Sequence, residues 1–186
     1  MKNRAIALLG SLLAVVTPAP AEDDPFADVR ATIQSCESCH GPKGAKPVLP
    51  VYPILAGQHM YYTYTQLKDF AAGRRENAIM QPLAAALSRD EMKRVATYFS
   101  EQQWPQHDRE AGPGDEEAAQ YIINQGQCPA CHLGGFEGNS RVPWTRGQTP
   151  AYLAKTMLDF KHDRRNNAPS KSSLMETFED EDLRRL

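Results

Sequence analysis

The apolar positions in the first half of the chain recur every three or four residues, a spacing that predicts amphipathic helices rather than strands. Three such stretches contain Phe26, Val29 and Ile33, then Tyr61, Tyr64, Leu67 and Phe70, and finally Met92, Val95, Ala96 and Phe99. The segment 41–57 between the first two is too rich in proline and glycine for a regular element. The third stretch begins at Ser88, which forms a capping-box sequence with Glu91. The pattern therefore predicts an all-α fold.

The second half of the chain repeats the first, and residues 147–167 match residues 57–77 at a constant offset of 90. The repeated positions are Gly57-Gln58 and Gly147-Gln148, Asp69-Phe70 and Asp159-Phe160, Arg74-Arg75 and Arg164-Arg165, and Asn77 and Asn167. Such self-similarity indicates two copies of one structural unit. We expect a first unit at 22–104, a polar linker at 105–114 and a second unit at 115–186. Because the second copy reaches Leu186 soon after its last helix starts, we expect that helix to be short or truncated.

Each unit contains one C-x-x-C-H motif, Cys36-Glu37-Ser38-Cys39-His40 in the first and Cys128-Pro129-Ala130-Cys131-His132 in the second. This is the attachment motif of c-type haem. Two thiols add to the vinyl groups of one haem, and the adjacent histidine becomes the proximal iron ligand. The motif predicts two covalently bound haem c groups. Redox dithiols, a zinc site and structural disulfides are less favoured alternatives.

The N-terminal residues have the composition of a secretory signal peptide. Lys2 and Arg4 precede an apolar run, and Ala19-Pro20-Ala21 is a cleavage sequence, so we expect residues 1–21 to be removed after Ala21. The apolar run is short for a membrane anchor, the alternative. Export agrees with haem attachment outside the cytoplasm and predicts a periplasmic protein. The net charge of −2 gives no indication of nucleic-acid binding.

The ligand on the far side of each iron is less evident from the sequence. Met80 lies on a predicted irregular stretch between two helices and is the candidate in the first unit. Alignment of the last helices places Lys171 opposite Met80, with Met175 four residues later. Either could ligate the second iron, Lys171 as a neutral amine. His162, Met157 or an open position are further alternatives.

These residues give the chain a resemblance to the dihaem cytochrome c4 family. The resemblance rests on the two C-x-x-C-H motifs, L-A-G-Q at 55–58, D-F-x-x-G-x-R at 69–75, and Met80 before L-S-x-D-E. It implies two tandem class I cytochrome c domains related by a pseudo-twofold axis. Cys36, Cys39, His40 and Met80 would serve one haem, and Cys128, Cys131 and His132 the other. The haem subunit of flavocytochrome c sulfide dehydrogenases is similar.

The resemblance implies a carrier of single electrons between redox proteins such as a terminal oxidase or a dehydrogenase. The chain contains no evident acid–base or nucleophilic constellation, which favours a carrier over an enzyme. Two alternatives remain: an oxidoreductase acting on a small sulfur compound or a peroxide at the second haem, and an electron-accepting subunit of a larger dehydrogenase. Any membrane association would come through partners. The paired arginines at 74–75 and 164–165 could steer partners, contact haem propionates or simply be solvated.

Overall fold

The computed structural model describes residues 24–106 and 115–186, and the regular secondary structure of this part of the chain is helical, without strands. The predicted signal segment and most of the predicted linker lie outside these residues. The helices are α1 (Arg30–His40), α2 (Met60–Ala71), α3 (Met80–Ala85), α4 (Arg89–Ser100), α5 (Asp115–Gln125), α6 (Pro129–His132), α7 (Pro150–Lys161), α8 (Pro169–Met175) and α9 (Asp180–Arg185). The all-α prediction is confirmed. None of the described helices is long and apolar enough to cross a bilayer.

In the first unit, α2 packs against both α3 and α4. The apolar faces of α1, α2 and α4 meet in one buried cluster, which contains Phe26, Val29, Ile33, Leu67, Phe70, Ala84, Met92, Val95, Tyr98 and Phe99. Burial of these side chains is the main stabilising contribution to this unit. Tyr61, predicted on the same stripe of α2, is 44% exposed and does not belong to the cluster.

The capping box predicted before the last helix of the first unit is present. The Ser88 hydroxyl accepts from the Glu91 amide at 3.2 Å, and the Glu91 carboxylate accepts from the Ser88 amide at 2.8 Å. These bonds satisfy two backbone donors that would otherwise lack partners at the start of α4. The segment 41–57 is irregular apart from a 3-10 turn at Pro42–Gly44.

The helices of the second unit follow the order of the first, except that two helices, α5 and α6, stand in place of α1. Its helix α7 packs against α8 and α9, as α2 packs against α3 and α4. Its last helix, α9, contains six residues against twelve in α4, and its N-cap residue Glu179 makes no side-chain capping bond.

Candidate haem-binding site

The first C-x-x-C-H motif occupies the C-terminal end of α1, which runs unbroken to His40. His40 is buried, and its Nδ1 lies 2.8 Å from the carbonyl oxygen of Pro53. Since a carbonyl can only accept, Nδ1 carries the proton and Nε2 keeps its lone pair. Burial lowers the pKa of His40, while the bond to Pro53 opposes this shift. A neutral imidazole oriented by a backbone carbonyl is the form that ligates a metal.

The two cysteines of this motif line the same cavity as His40. Burial raises the pKa of the Cys36 thiol to about 11, and Cys39 is half-buried. All four cysteines of the chain are free. Among the described residues, no group of three Cys, His, Asp or Glu side chains could hold a metal ion. The structure therefore gives no support to the disulfide and zinc alternatives.

The second motif is built differently. Gln127 has a positive φ of 48° just after α5, and the motif continues in the separate short helix α6. His132 Nδ1 lies 3.1 Å from the carbonyl oxygen of Pro143, the counterpart of Pro53. Burial, and to a lesser extent the charge of Lys171, lower the pKa of His132. Because Cys131 is exposed and His132 is only half-buried, this site is more open than the first.

Residues of both motifs line one continuous cavity of about 1300 Å³, although the exposed Cys131 is not among them. This volume exceeds the roughly 300–1,000 Å³ typical of a site for one drug-sized molecule. The candidate iron ligands among the lining residues are His40, Met80, His132, Met157, Lys171 and Met175. The cavity thus has both the donor set and the size that two large, planar, metal-containing groups require.

Met80 is half-buried in this lining and packs against the core of the first unit. The prediction that it lies on an irregular stretch was wrong, because it is the first residue of α3. The Asn77 side-chain oxygen accepts from the amides of Ile79 and Met80 at 3.0 and 2.9 Å, which fixes the start of that helix. Met60 and Met92 lie outside the lining.

In the second unit, Lys171 and Met175 lie one helical turn apart on α8, and both line the cavity. Lys171 lines the cavity together with Cys128 and His132 of the motif. Met157 on α7 also lines the cavity. His162 does not; its Nε2 lies 3.0 Å from the carboxylate of Asp180 at an exposed position.

Two arginines of the repeat cross between the units. Arg75 Nη2 donates to the Tyr152 hydroxyl at 3.0 Å, and Arg165 Nη2 donates to the Tyr62 hydroxyl at 3.3 Å. The backbones of Arg75 and Arg165 pair in an antiparallel bridge. Burial would raise the pKa of Tyr152, but the charges of Arg75 and Arg165 lower it below its usual range. The exchange of matching contacts is what a pseudo-twofold relation between the units produces.

The surroundings of these arginines fit an anionic group at the edge of the cavity. Gln66 Oε1 accepts from the guanidinium groups of Arg75 at 2.9 Å and Arg165 at 2.8 Å, and from the side-chain amide of Asn167 at 3.0 Å. Three donors exceed the two lone pairs of a carbonyl oxygen. The carboxylate of Asp69 bonds instead to Arg74 and Asn167. Since buried guanidinium groups need anionic partners, the residues present fit the propionates of haem.

Two glutamines tie each unit to the other. Gln148 accepts from the Ile54 amide at 2.7 Å and donates to the Ile54 carbonyl at 3.0 Å. Gln58 accepts from the Trp144 amide at 2.9 Å and donates to the Trp144 carbonyl at 2.9 Å. Both glutamines are buried. Trp144 also stacks on Trp104, with ring centroids 5.1 Å apart.

Sequence reasoning identified both glutamines as repeated residues but gave them no role, and it missed Tyr62 and Tyr152. The two tyrosines share the spacing of the other repeats, so a systematic comparison of the halves could have found them. Their role depends on how the units pack together, which the repeat alone does not specify.

The family described as cytochrome c oxidase, cbb3-type, subunit III matches residues 26–99. The thiosulfate dehydrogenase electron acceptor of Stutzerimonas stutzeri (strain A1501) is 34% identical over 128 residues, covering 62% of this chain and 58% of that protein. The chain thus spans just over half the length of the curated relatives it matches.

Two solved structures have the same fold. The reduced recombinant cytochrome c4 of Pseudomonas stutzeri has a TM-score of 0.73 and 27% identity, covering 86% of this chain and 95% of that one. The thiosulfate dehydrogenase TsdBA of Marichromatium purpuratum has a TM-score of 0.76 and 23% identity, covering 87% of this chain and 39% of that one. The paired haem motifs, the exchanged contacts and these likenesses agree: in fold and in its motifs the chain is similar to the dihaem cytochromes c4, which implies two covalently bound haem c groups.

Proposed function

We propose that this protein carries single electrons between redox proteins in the periplasm. The observation that supports this most directly is the repeated proximal arrangement, in which His40 and His132 each bond a proline carbonyl beside one shared cavity. The haem iron, when bound, supplies a one-electron couple. The residues of the chain hold, orient and shield it. The N-terminal segment, with expected cleavage after Ala21, supports export.

We assign the first haem to Cys36 and Cys39 as thioether partners, His40 as proximal ligand and Met80 as distal ligand. Pro53 keeps the proton on Nδ1 of His40, so Nε2 remains available. The start of α3 holds Met80 in place through Asn77. A histidine–methionine ligand pair favours a raised potential and leaves no position for a substrate.

We assign the second haem to Cys128, Cys131 and His132, with Met175 or Lys171 as distal ligand. Lys171 occupies the position of Met80 near the start of its helix, and Met175 follows one turn later. A lysine nitrogen would stabilise ferric iron more than a thioether does and would lower the potential of this haem. The two assignments therefore predict different gaps between the two potentials.

The carrier function is tested with the purified mature protein. A pyridine haemochrome assay should give two haems per chain, and a potentiometric titration should show two reversible one-electron steps. Mass spectrometry should find a mature chain that starts at Glu22 and carries both haems. A colourless protein, or rapid turnover of thiosulfate or peroxide by the protein alone, would contradict the carrier proposal.

The distal ligands are tested by three substitutions. Met80→Ala should remove a methionine–iron absorption band in the far red. Of Lys171→Ala and Met175→Ala, only the substitution that removes the distal ligand should change the spectrum and the potential of the second haem. The substitution at the other position serves as its control. If neither variant changes the second haem, Met157 or an open position becomes the better assignment.

A second proposal concerns the partner: the chain accepts electrons from a thiosulfate dehydrogenase. The 34% identity to a thiosulfate dehydrogenase electron acceptor favours this partner over a terminal oxidase. Purified chain mixed with such an enzyme and thiosulfate should become reduced at a rate that depends on both proteins. Reduction only by an unrelated dehydrogenase would contradict it.

A further inference from the structure

The loop after the first motif has an apolar surface that the haem cavity does not account for. Val48 and Leu49 are 60% and 49% exposed, and neither lines the cavity. Val51, Ile79 and Leu83 are also exposed, but they line the cavity, so a bound group would cover part of their surface. Val48 and Leu49 would remain in contact with solvent.

This surface lies directly beside the proposed first haem. The Val48 amide donates to the carbonyl of Cys39 at 3.0 Å, which holds the loop against the motif. A protein that covered Val48 and Leu49 would therefore come close to the haem edge held by Cys39. Single exposed apolar residues are common on protein surfaces; adjacent ones next to a redox group are a candidate contact site.

The loop of the second unit lacks this apolar pair. At the positions 90 residues after Val48 and Leu49 it has Gly138 and Asn139, and its exposed apolar residue Leu133 lies directly after the motif histidine. The backbone contact is similar, since the Gly138 amide donates to the carbonyl of His132 at 2.9 Å. Two adjacent exposed apolar side chains are therefore present at this position in the first unit only.

The charged side chains of the loop itself are all basic. The segment 41–68 contains Lys43, Lys46 and Lys68 but neither Asp nor Glu, in a chain of net charge −2. Lys43 and Lys46 are exposed. Glu37 contacts the loop, but its carboxylate accepts from the Lys43 amide and the Tyr98 hydroxyl. An apolar centre with a charged rim is the usual composition of a protein contact.

We propose that Val48 and Leu49, with Lys43 and Lys46 at their edge, form the docking surface for a redox protein whose own contact face is apolar and rimmed by carboxylates. This inference rests on the proposed carrier function and deepens it, because it makes the first haem the one that exchanges electrons with that partner. Opposite charges raise the rate of encounter, and the apolar contact sets the orientation.

The test uses the mature dihaem protein and two probes of similar size and opposite charge, an acidic blue-copper protein and a basic small cytochrome c. Stopped-flow spectroscopy gives the second-order rate constant of electron exchange at low and high ionic strength. The variants are Leu49→Asp and Leu49→Ser. The control is Asn139→Asp, which adds the same charge and keeps the side-chain oxygen that accepts from the Arg141 and Val142 amides.

The acidic probe should react faster than the basic one, and salt should slow it, since screening weakens steering. Leu49→Asp should slow the acidic probe about tenfold at low salt, Leu49→Ser about threefold, and Asn139→Asp less than about twofold. Equal effects of Leu49→Asp and Asn139→Asp, or a faster basic probe, would overturn the docking proposal. Reduction by a small molecule separates the two failures: if both haems of every variant still cycle reversibly, only the docking surface is refuted.

Discussion

The first half of the chain buries ten apolar side chains in one cluster, which come from α1 to α4, from the 3-10 turn Ala27–Val29 before α1 and from Phe26 just ahead of that turn. In the second half, the buried apolar residues among those described are Ile122, Leu158, Phe160 and Leu183. Both halves nevertheless hold the motif histidine through a proline carbonyl. The geometry of the proximal site therefore tolerates very unequal supporting cores, because a bound haem itself supplies apolar surface.

The largest expected effect comes from the residue after each motif histidine. Gly41 and Leu133 have nearly the same backbone angles, with φ of 77° and 65° and ψ of 169° and 170°. This region strains any residue except glycine. In Gly41→Ala, the new Cβ would overlap the backbone oxygen of Lys46, so we expect a loss of about 3 kcal/mol in unfolding free energy.

Leu133→Gly should have the opposite sign and stabilise the second unit by about 1 kcal/mol, because it relieves backbone strain while losing little buried area. Thermal unfolding of both dihaem variants measures the effect. If both substitutions shifted the unfolding temperature in the same direction, the two turns would not share the same backbone constraint.

The next effect tests the symmetry between the units. Gln58→Ala and Gln148→Ala each leave a backbone N–H and C=O of the opposite unit without their partner, which costs about 2 kcal/mol. The two variants should lower the melting temperature by similar amounts, about 4–8 °C for a chain of this size. Gln102→Ala, which removes a bond within the first unit only, is the control. Strongly unequal shifts at the two glutamines would show that one unit depends more on the other.

A smaller effect follows from the unequal last helices. Ser88→Ala should destabilise the first unit by about 1 kcal/mol because α4 loses its capping box. The double variant Glu179→Ser with Asp182→Glu places the same box at the start of α9 and should stabilise the second unit by a similar amount. Urea unfolding measures both. No gain from the double variant would indicate that α9 is limited by its packing rather than by its cap.

The smallest effect concerns acid stability of the first unit. The hydrogen bond from Arg94 lowers the pKa of Asp28 below its ordinary value of 3.8. A lowered pKa in the folded state means that the pair stabilises the fold above about pH 4 and that this contribution is lost as the pH falls through the folded value. Asp28→Asn should therefore reduce the slope of stability against pH below pH 4. An unchanged slope would show that the Arg94–Asp28 pair does not contribute to the loss of stability in acid.

Much of the architecture is encoded locally and could be predicted. The C-x-x-C-H motifs, the spacing of apolar residues and the Ser88 cap depend on neighbours within a few positions of the chain. The short helix that starts at Met80 was not predicted, although its cause is local as well: the Asn77 side chain accepts from the amides of Ile79 and Met80. A capping amide before a short apolar run was the overlooked signal.

Other features depend on how distant segments meet. The sequence could predict that some carbonyl orients His40, but the path of the loop decides that it belongs to Pro53. The exchanged arginine–tyrosine contacts require the relative placement of the units. For α8, the sequence identified Lys171 and Met175 as candidate distal ligands, and both line the cavity in the structure.

The glutamine contacts also make the two halves interdependent. Pro53 and Pro143 orient the two motif histidines. The residue after each proline, Ile54 or Trp144, is hydrogen-bonded through its backbone to a glutamine of the opposite half. Each half thus completes the scaffold of its neighbour's iron ligand. A half produced alone would carry its motif on a loop without this tether, so we expect the two halves to hold their iron ligands firmly only as one unit.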